Sequence, residues 1–257
     1  MQYFIICLVA FIGSGLTLFS GFGLGTLLVP VFALFFPIEL SIALTAIVHF
    51  LNNIFKLSLL GKHADKKTLL RFGLPSLIAA FAGAFVLSSI SNAQALFQYT
   101  VGTETLQVLP LKLTIGLLLI FFALFDIVPK LSSIQFDKKY LVLGGLLSGF
   151  FGGLSGNQGA LRSAFLIRAN LSKEAFIATG VVIACLVDVS RLSVYYGRVF
   201  NSANEINYKL VIAATLCAFS GAYFGNKFVK KITIKLLQTI VAIALIIFGF
   251  LLSAGIL

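Results

Sequence analysis

Long apolar runs, interrupted by short clusters of polar and charged residues, set the plan of this chain. No Lys, Arg, Asp or Glu occurs in residues 1–38 or 236–257. Between them the charges fall in clusters separated by apolar runs of about 20 residues, the length a helix needs to cross a hydrocarbon core of about 30 Å. The runs predict helices over 3–20, 23–36, 40–60, 69–90, 107–129, 139–154, 158–170, 173–196, 207–229 and 233–255. Two of them, 23–36 and 158–170, are only 14 and 13 residues long, roughly 20 Å of helix. Each follows a glycine-rich break and leads at once into another apolar helix, which predicts half-helices or re-entrant hairpins.

The same order recurs in both halves: long, short, long, long, long. Ser14-Gly15, Gly25 and Thr45 match Ser148-Gly149, Gly159 and Thr179 at a constant offset of 134. Ala80-Phe81-Ala82-Gly83-Ala84-Phe85 resembles Ala218-Phe219-Ser220-Gly221-Ala222-Tyr223 at an offset of 138. The pattern predicts a first transmembrane repeat over 1–129, a connection at 130–139 and a second repeat over 140–257. Basic residues in loops mark the cytoplasmic side. Lys62, Lys66, Lys67 and Arg71 place the loop at 61–72 inside, and Lys130, Lys138 and Lys139 place the connection inside. Loop 91–106 has no Lys or Arg and is expected outside, whereas its counterpart at 226–235, with Lys227, Lys230, Lys231 and Lys235, is expected inside. Equivalent loops on opposite sides are the signature of inverted-topology repeats, a transporter architecture, and put both termini outside. Loop 197–209 fits least: it is expected outside yet holds Arg198 and Lys209, tempered by Asn201, Ser202, Asn204, Glu205 and Asn207.

Composition fixes the solvent. The 257 residues are 60% hydrophobic and 11% charged, with a mean hydropathy of +1.08. A soluble domain carries about 25% charged residues. That much apolar surface cannot be hidden in one core of this size, so the fold class is an all-α polytopic membrane protein. The net charge of +11 comes largely from Lys and Arg flanking apolar helices, which orient the chain; without aromatic-basic repeats, nucleic acid is excluded as a partner. Residues 3–20 lack a basic leader and run directly into glycine-rich helix, so they read as the first membrane segment and not a signal peptide. Cys7, Cys185 and Cys217 sit inside apolar runs and read as small buried hydrophobes. No metal-ligand cluster or cofactor motif is visible.

Polar groups at membrane depth are costly in lipid and face a cavity or one another. The first such cluster is Leu154-Ser155-Gly156-Asn157-Gln158-Gly159-Ala160-Leu161-Arg162. Its glycines let the backbone leave the helix, and freed N–H groups at the next helix start can face an anion. Asn157 and Gln158 add donors, and Arg162 adds a full positive charge. The alternative is a glycine-packed break with Arg162 snorkelling to an interface; Arg168 reads as an interfacial anchor. Ser20-Gly21-Phe22-Gly23-Leu24-Gly25-Thr26 is the matching break in the first half; with no strand before it, a dinucleotide fold is excluded, and close helix packing through small residues is the competing explanation.

On the third helix, His49, Asn52, Asn53 and Lys56 share one face at i, i+3, i+4, i+7, with Thr45 a turn earlier. Such a stripe predicts a lumen or a buried network. His49 could couple protons or make a structural hydrogen bond, and Lys56 could snorkel. On the equivalent helix of the second half, Asp188 and Arg191 are spaced to pair, as structural glue or as a gate; Thr179 and Ser193 lie on the same helix. Asp126 and Lys130 are spaced for a structural i, i+4 pair. Gly153-Leu154-Ser155-Gly156 fits the GxSG string of rhomboid proteases, but no histidine follows Ser155, so a peptidase is set aside and no enzyme is expected.

With these residues in hand, a family resemblance is visible. Gly21-Phe22-Gly23-Leu24-Gly25-Thr26-Leu27-Leu28-Val29-Pro30 resembles the glycine-rich first motif of the TauE/SafE family of membrane transporters. Ser155 to Phe165, followed by Phe176-Ile177-Ala178-Thr179-Gly180, is similar to the repeated copy. The chain departs from the pattern at Leu24, within the glycine run, and at the more polar Asn157-Gln158. The resemblance spans essentially the whole chain. It implies a secondary transporter, without an ATP-binding module, for export or uptake of sulfite or sulfur-containing organic anions. The motif glycines carry over to Gly21, Gly23, Gly25, Gly156 and Gly159; the roles of Asn52, Asn53, Asn157, Gln158 and Arg162 in substrate binding, and of His49, Asp188 and Arg191 in coupling or gating, follow from charge and depth. The expectation is an exporter of a small anion working by alternating access in a bacterial inner membrane, in contact with lipid, with protons as candidate coupling ion and an oligomer open. An anion channel and a non-transporting scaffold or sensor are the alternatives.

Overall fold

A computed structural model describes residues 1–20, 23–201, 206–228 and 234–257. The candidate Gly21 and the loop residues Ser202, Asn204, Glu205, Lys230 and Lys231 lie outside the described residues. The apolar runs fold as helices almost where hydropathy places them. In order they are α1 (Gln2–Ser20), α2 (Leu24–Ala33), α3 (Ile38–Leu60), α4 (Lys66–Thr68), α5 (Leu74–Ile90), α6 (Pro110–Ile127), α7 (Pro129–Ser132), α8 (Leu141–Ser155), α9 (Gly159–Leu166), α10 (Lys173–Asn201), α11 (Tyr208–Phe228) and α12 (Ile234–Ser253). α4 runs through a π-helical segment, Leu69–Gly73, into α5 as one long rod. Among the described residues, five helices are long and apolar enough to cross a membrane, and this is an all-α polytopic membrane protein. α2 and α9 have 10 and 8 residues, roughly 15 and 12 Å of helix; neither can span.

Two expectations change. The loop at 91–106 contains a β-hairpin, β1 (Phe97–Val101) paired antiparallel with β2 (Glu104–Val108), so α6 begins at Pro110 instead of 107. Phe97, Tyr99 and Val101 alternate with polar residues, and Gly102 takes the φ of +64° that a two-residue hairpin loop requires. The hairpin docks on the end of α12, where the Tyr99 hydroxyl donates to the Ala254 carbonyl at 2.6 Å. The Asp126–Lys130 pair does not form: helical geometry ends at Ile127 and Val128 is extended, so the i, i+4 spacing no longer holds the two side chains together. Arg168, expected at an interface, is exposed and bonds to Gln135 Oε1 and Asp137 Oδ1, each at 3.1 Å, tying the end of α9 to the connection.

The molecule is apolar outside as well as within. Phe4, Ile78, Phe85, Leu117, Val142, Ile212, Ile247 and Phe250 are all exposed. A water-facing surface would not carry such a continuous apolar face; lipid requires one. The polar groups are inside instead: Ser14, Thr45, His49, Asn52, Asn53, Lys56, Ser148, Asn157, Gln158, Thr179, Asp188 and Arg191 are all buried. The three cysteines are free and half-buried.

Helix pairing repeats when the halves are exchanged. α1 packs on α11 as α8 packs on α5; α2 on α3 as α9 on α10; α11 on α3 as α5 on α10; and α3 meets α10 as α6 meets α12. Glycines make the closest approaches. A Cβ at Gly149 would lie 2.5 Å from the Ser76 Cα, and one at Gly225 would lie 2.6 Å from the Gly15 Cα. Without a hydrophobic drive between helices in lipid, such contacts supply the van der Waals adhesion. Gly149→Val is therefore expected to force α8 off α5 and to destabilise the protein by about 1–3 kcal/mol, read as a lowered unfolding temperature in detergent; unchanged stability would show that α5 can yield.

Candidate functional site

α3 and α10 pack against each other. Their polar residues meet there. The Nδ1–H of His49 donates to Asp188 Oδ2 at 2.6 Å, although the residues are 139 apart in sequence. Arg191 Nη1 donates to Asp188 Oδ1 at 3.4 Å, and Asn53 Nδ2 reaches Asp188 Oδ2 at 3.5 Å. The spacing of Asp188 and Arg191 anticipated their pair. The link to His49 had no local signal, because it joins opposite halves.

The two glycine breaks meet beside this network. At the end of α8, Gly156 takes a φ of +81°, the left-handed turn that ends the helix. A Cβ there would lie 2.8 Å from Arg191 Nη1, so glycine also makes room for the guanidinium. A Cβ at Gly25, in the first turn of α2, would lie 3.5 Å from the Gly156 carbonyl oxygen, 3.8 Å from the Thr45 methyl and 4.0 Å from the His49 ring. Around this meeting point lie buried polar atoms that bond to nothing among the described residues: the side-chain N and O of Asn157 and of Gln158, Nε and Nη2 of Arg191, and Oγ1 of Thr45. Native proteins rarely leave such groups unpaired, and a cluster of them marks a place for water or ligand.

A cavity of about 120 Å³, walled by both polar and apolar side chains, adjoins the network. Its lining includes Thr17, Gly23, His49, Asn53, Lys56, Arg162, Ser163 and Gly180. The helical stripe on α3 is thus divided. His49, Asn53 and Lys56 face the cavity, while Asn52 turns to α1 and α11; in the amide orientation that satisfies every neighbour, its oxygen accepts from Ser14 and Lys56 and its nitrogen donates to the Ala218 carbonyl. Arg162 lies against Gly180 of α10, where a Cβ would sit 3.4 Å from its Nε.

Of the sequence candidates, the fold brings Gly23, Asn53, Arg162 and His49 to the cavity, and Gly25, Gly156, Asn157, Gln158, Asp188 and Arg191 to the inner break. Gly159 opens α9 between the two groups. Lys56, Thr17, Ser163 and Gly180 are added to the site. Lys56 does not snorkel; its Nζ donates to Thr17 Oγ1 at 3.3 Å, inside the protein. Ser155, from the GxSG string, donates to the Phe151 carbonyl at 3.0 Å and accepts from the Asn157 N–H, so its hydroxyl is not paired with His49. On the loop side, Asp65 caps α4: the side chain of Thr68, and then its N–H, bond to the carboxylate and hold it below the ordinary carboxylate range. The Asp65 N–H in turn donates to Thr179 Oγ1 at 2.9 Å, fastening this loop to α10.

One family model, described as Sulfite exporter TauE/SafE, matches residues 6–252 of the chain. No curated protein and no solved structure gives a significant match.

Proposed function

The chain belongs to the TauE/SafE sulfite exporter family of membrane transporters, and from that premise we propose that it is a secondary transporter which exports sulfite or a related small sulfur-containing anion by alternating access. The observation that carries this reading is the cavity between the two halves, lined by Lys56 and Arg162 together with Ser163. Two cations beside a neutral hydroxyl make a site for an oxyanion. The glycine breaks, Gly23 and Gly25 in one half and Gly156 to Gly159 in the other, are the points where backbone can face the ion at membrane depth. Asn52 holds Lys56 in place. The unpaired donors of Asn157, Gln158 and Arg191 form the next station inward.

Exchange of helix pairings between the halves supports a two-repeat design, and the loop charges support opposite orientations, with both termini outside a bacterial inner membrane. Rocking of one repeat on the other would move the α3–α10 crossing. The His49–Asp188–Arg191 network spans that crossing and would have to break or shift, which suits it to gating and to proton coupling. A reporter fused after Leu257 is expected to be active on the outer side only; clear cytoplasmic activity would sink this topology.

The transport test is direct. Purified protein in liposomes is expected to move labelled sulfite with saturable kinetics, faster under an imposed pH gradient. Saturable flux indifferent to any pH gradient would remove proton coupling. Unsaturable, gradient-independent conductance would replace the transporter by a channel, and no flux with any small anion would leave a scaffold or sensor.

A further inference from the structure

We propose that Lys56 is the second charge anchor of the substrate, and that Lys56 and Arg162 together select doubly charged small oxyanions over singly charged ones. The proposal rests on the reading of this cavity as the anion site. Lys56 is 4% exposed, and its ammonium is fixed by Thr17 Oγ1 and Asn52 Oδ1, two neutral acceptors each at 3.3 Å. An ammonium has three donors, so one remains for the cavity that Lys56 lines.

Neither Lys56 nor Arg162 forms an ion pair among the described residues. Asp188 is the acidic residue at this crossing, and its oxygens are already held by His49, Asn53 and Arg191. Arg191 balances Asp188, which leaves Lys56 and Arg162 as two positive charges on one cavity wall. Lys173 also lines the cavity but is exposed at the start of α10, where water and salt screen it.

Uncompensated charge in a poorly solvated interior is costly, and the cost falls when a ligand of matching charge arrives. A dianion neutralises both groups, whereas a monoanion leaves one of them unbalanced. The cavity, about 120 Å³, has room for a small oxyanion. Lysine in place of a second arginine gives a compact point charge that does not impose a bidentate geometry, so the pair reads charge more than shape.

The test compares sulfite with chlorate, which has the same pyramidal shape and one charge fewer, in proteoliposomes at neutral pH, where sulfite is already present as the dianion. Wild type is expected to favour sulfite at least tenfold in kcat/KM. Lys56→Gln is expected to lower sulfite transport at least tenfold while changing chlorate less than threefold; Lys56→Arg should restore most of the preference. Arg162→Gln should shift selectivity the same way, which keeps the test decisive if Lys56→Gln folds poorly. Equal losses for both anions, or an unchanged ratio in both variants, would overturn the proposal and leave the transport reading intact. Failure of the wild type to move either anion would overturn both.

Discussion

Asp188→Ala is expected to lower the stability of the folded protein by about 3–5 kcal/mol, the range seen when one partner of a buried ion pair is removed. Asp188 and Arg191 are both fully buried, and Asp188 also accepts from His49 at 2.6 Å. Removing the carboxylate strands a guanidinium whose Nε and Nη2 already bond to no described residue. It also leaves the His49 Nδ1–H without its acceptor. The measurement is thermal or denaturant unfolding in detergent, and a loss under about 1 kcal/mol, the scale of an exposed pair, would show that the network contributes little to the fold.

A second variant separates glue from gate. Replacing both partners, Asp188→Leu with Arg191→Met, removes the charge imbalance and should recover much of the stability, as apolar replacements of buried pairs do elsewhere. Transport should stay low if the network is the gate. Recovery of full transport alongside stability would reduce Asp188 and Arg191 to a structural pair.

Arg162→Ala is expected to cut anion transport at low substrate concentration by at least tenfold, with little change in stability. Arg162 is half-buried, forms no ion pair among the described residues and lines the cavity, so its loss leaves no partner stranded. A unit charge about 4 Å from an anion is worth about 4 kcal/mol at an effective dielectric of 20. With about 1.4 kcal/mol per tenfold, that sets an upper bound of roughly a thousandfold, and solvent reaching the cavity reduces it. The loss should appear mainly in KM, because the interaction is with the bound anion. Unchanged flux would remove Arg162 from the substrate path and return it to the interface.

The long helices were legible because each is a run of apolar residues bounded by charge, glycine or polar loop, and hydropathy is a local property. The two short helices were legible for the same reason: α2 and α9 are too short to span and follow glycines. The β-hairpin at 97–108 was also legible, in the alternation of Phe97, Tyr99 and Val101 before Gly102, although its strands are too short to stand out from the apolar helices by hydropathy. The lost Asp126–Lys130 pair shows the limit of spacing rules: i, i+4 holds only while the helix does, and Pro129 begins a new one.

The candidate site was legible as types of residue and not as an arrangement. Polar groups at membrane depth are few, so His49, Asn53, Arg162, Asp188 and Arg191 stood out individually. Periodicity placed Asn52 and Asn53 on one stripe, yet one faces α1 and α11 and the other the cavity. Lys56 could be read as snorkelling because its stem is long and its position is near a helix end.

The sequence by itself determined that the chain lives in lipid, roughly where its helices run, and where glycine breaks them. Only the tertiary structure decided which polar groups meet. The placement of α3 against α10 follows from packing throughout the bundle, in which Gly15 and Gly225 let α1 touch α11 and Gly149 lets α8 touch α5. That placement turns His49 onto Asp188 and points Lys56 inward to share a cavity with Arg162. Hydropathy along a chain cannot encode it, because a helix with lipid on one side and protein on the other is apolar on both.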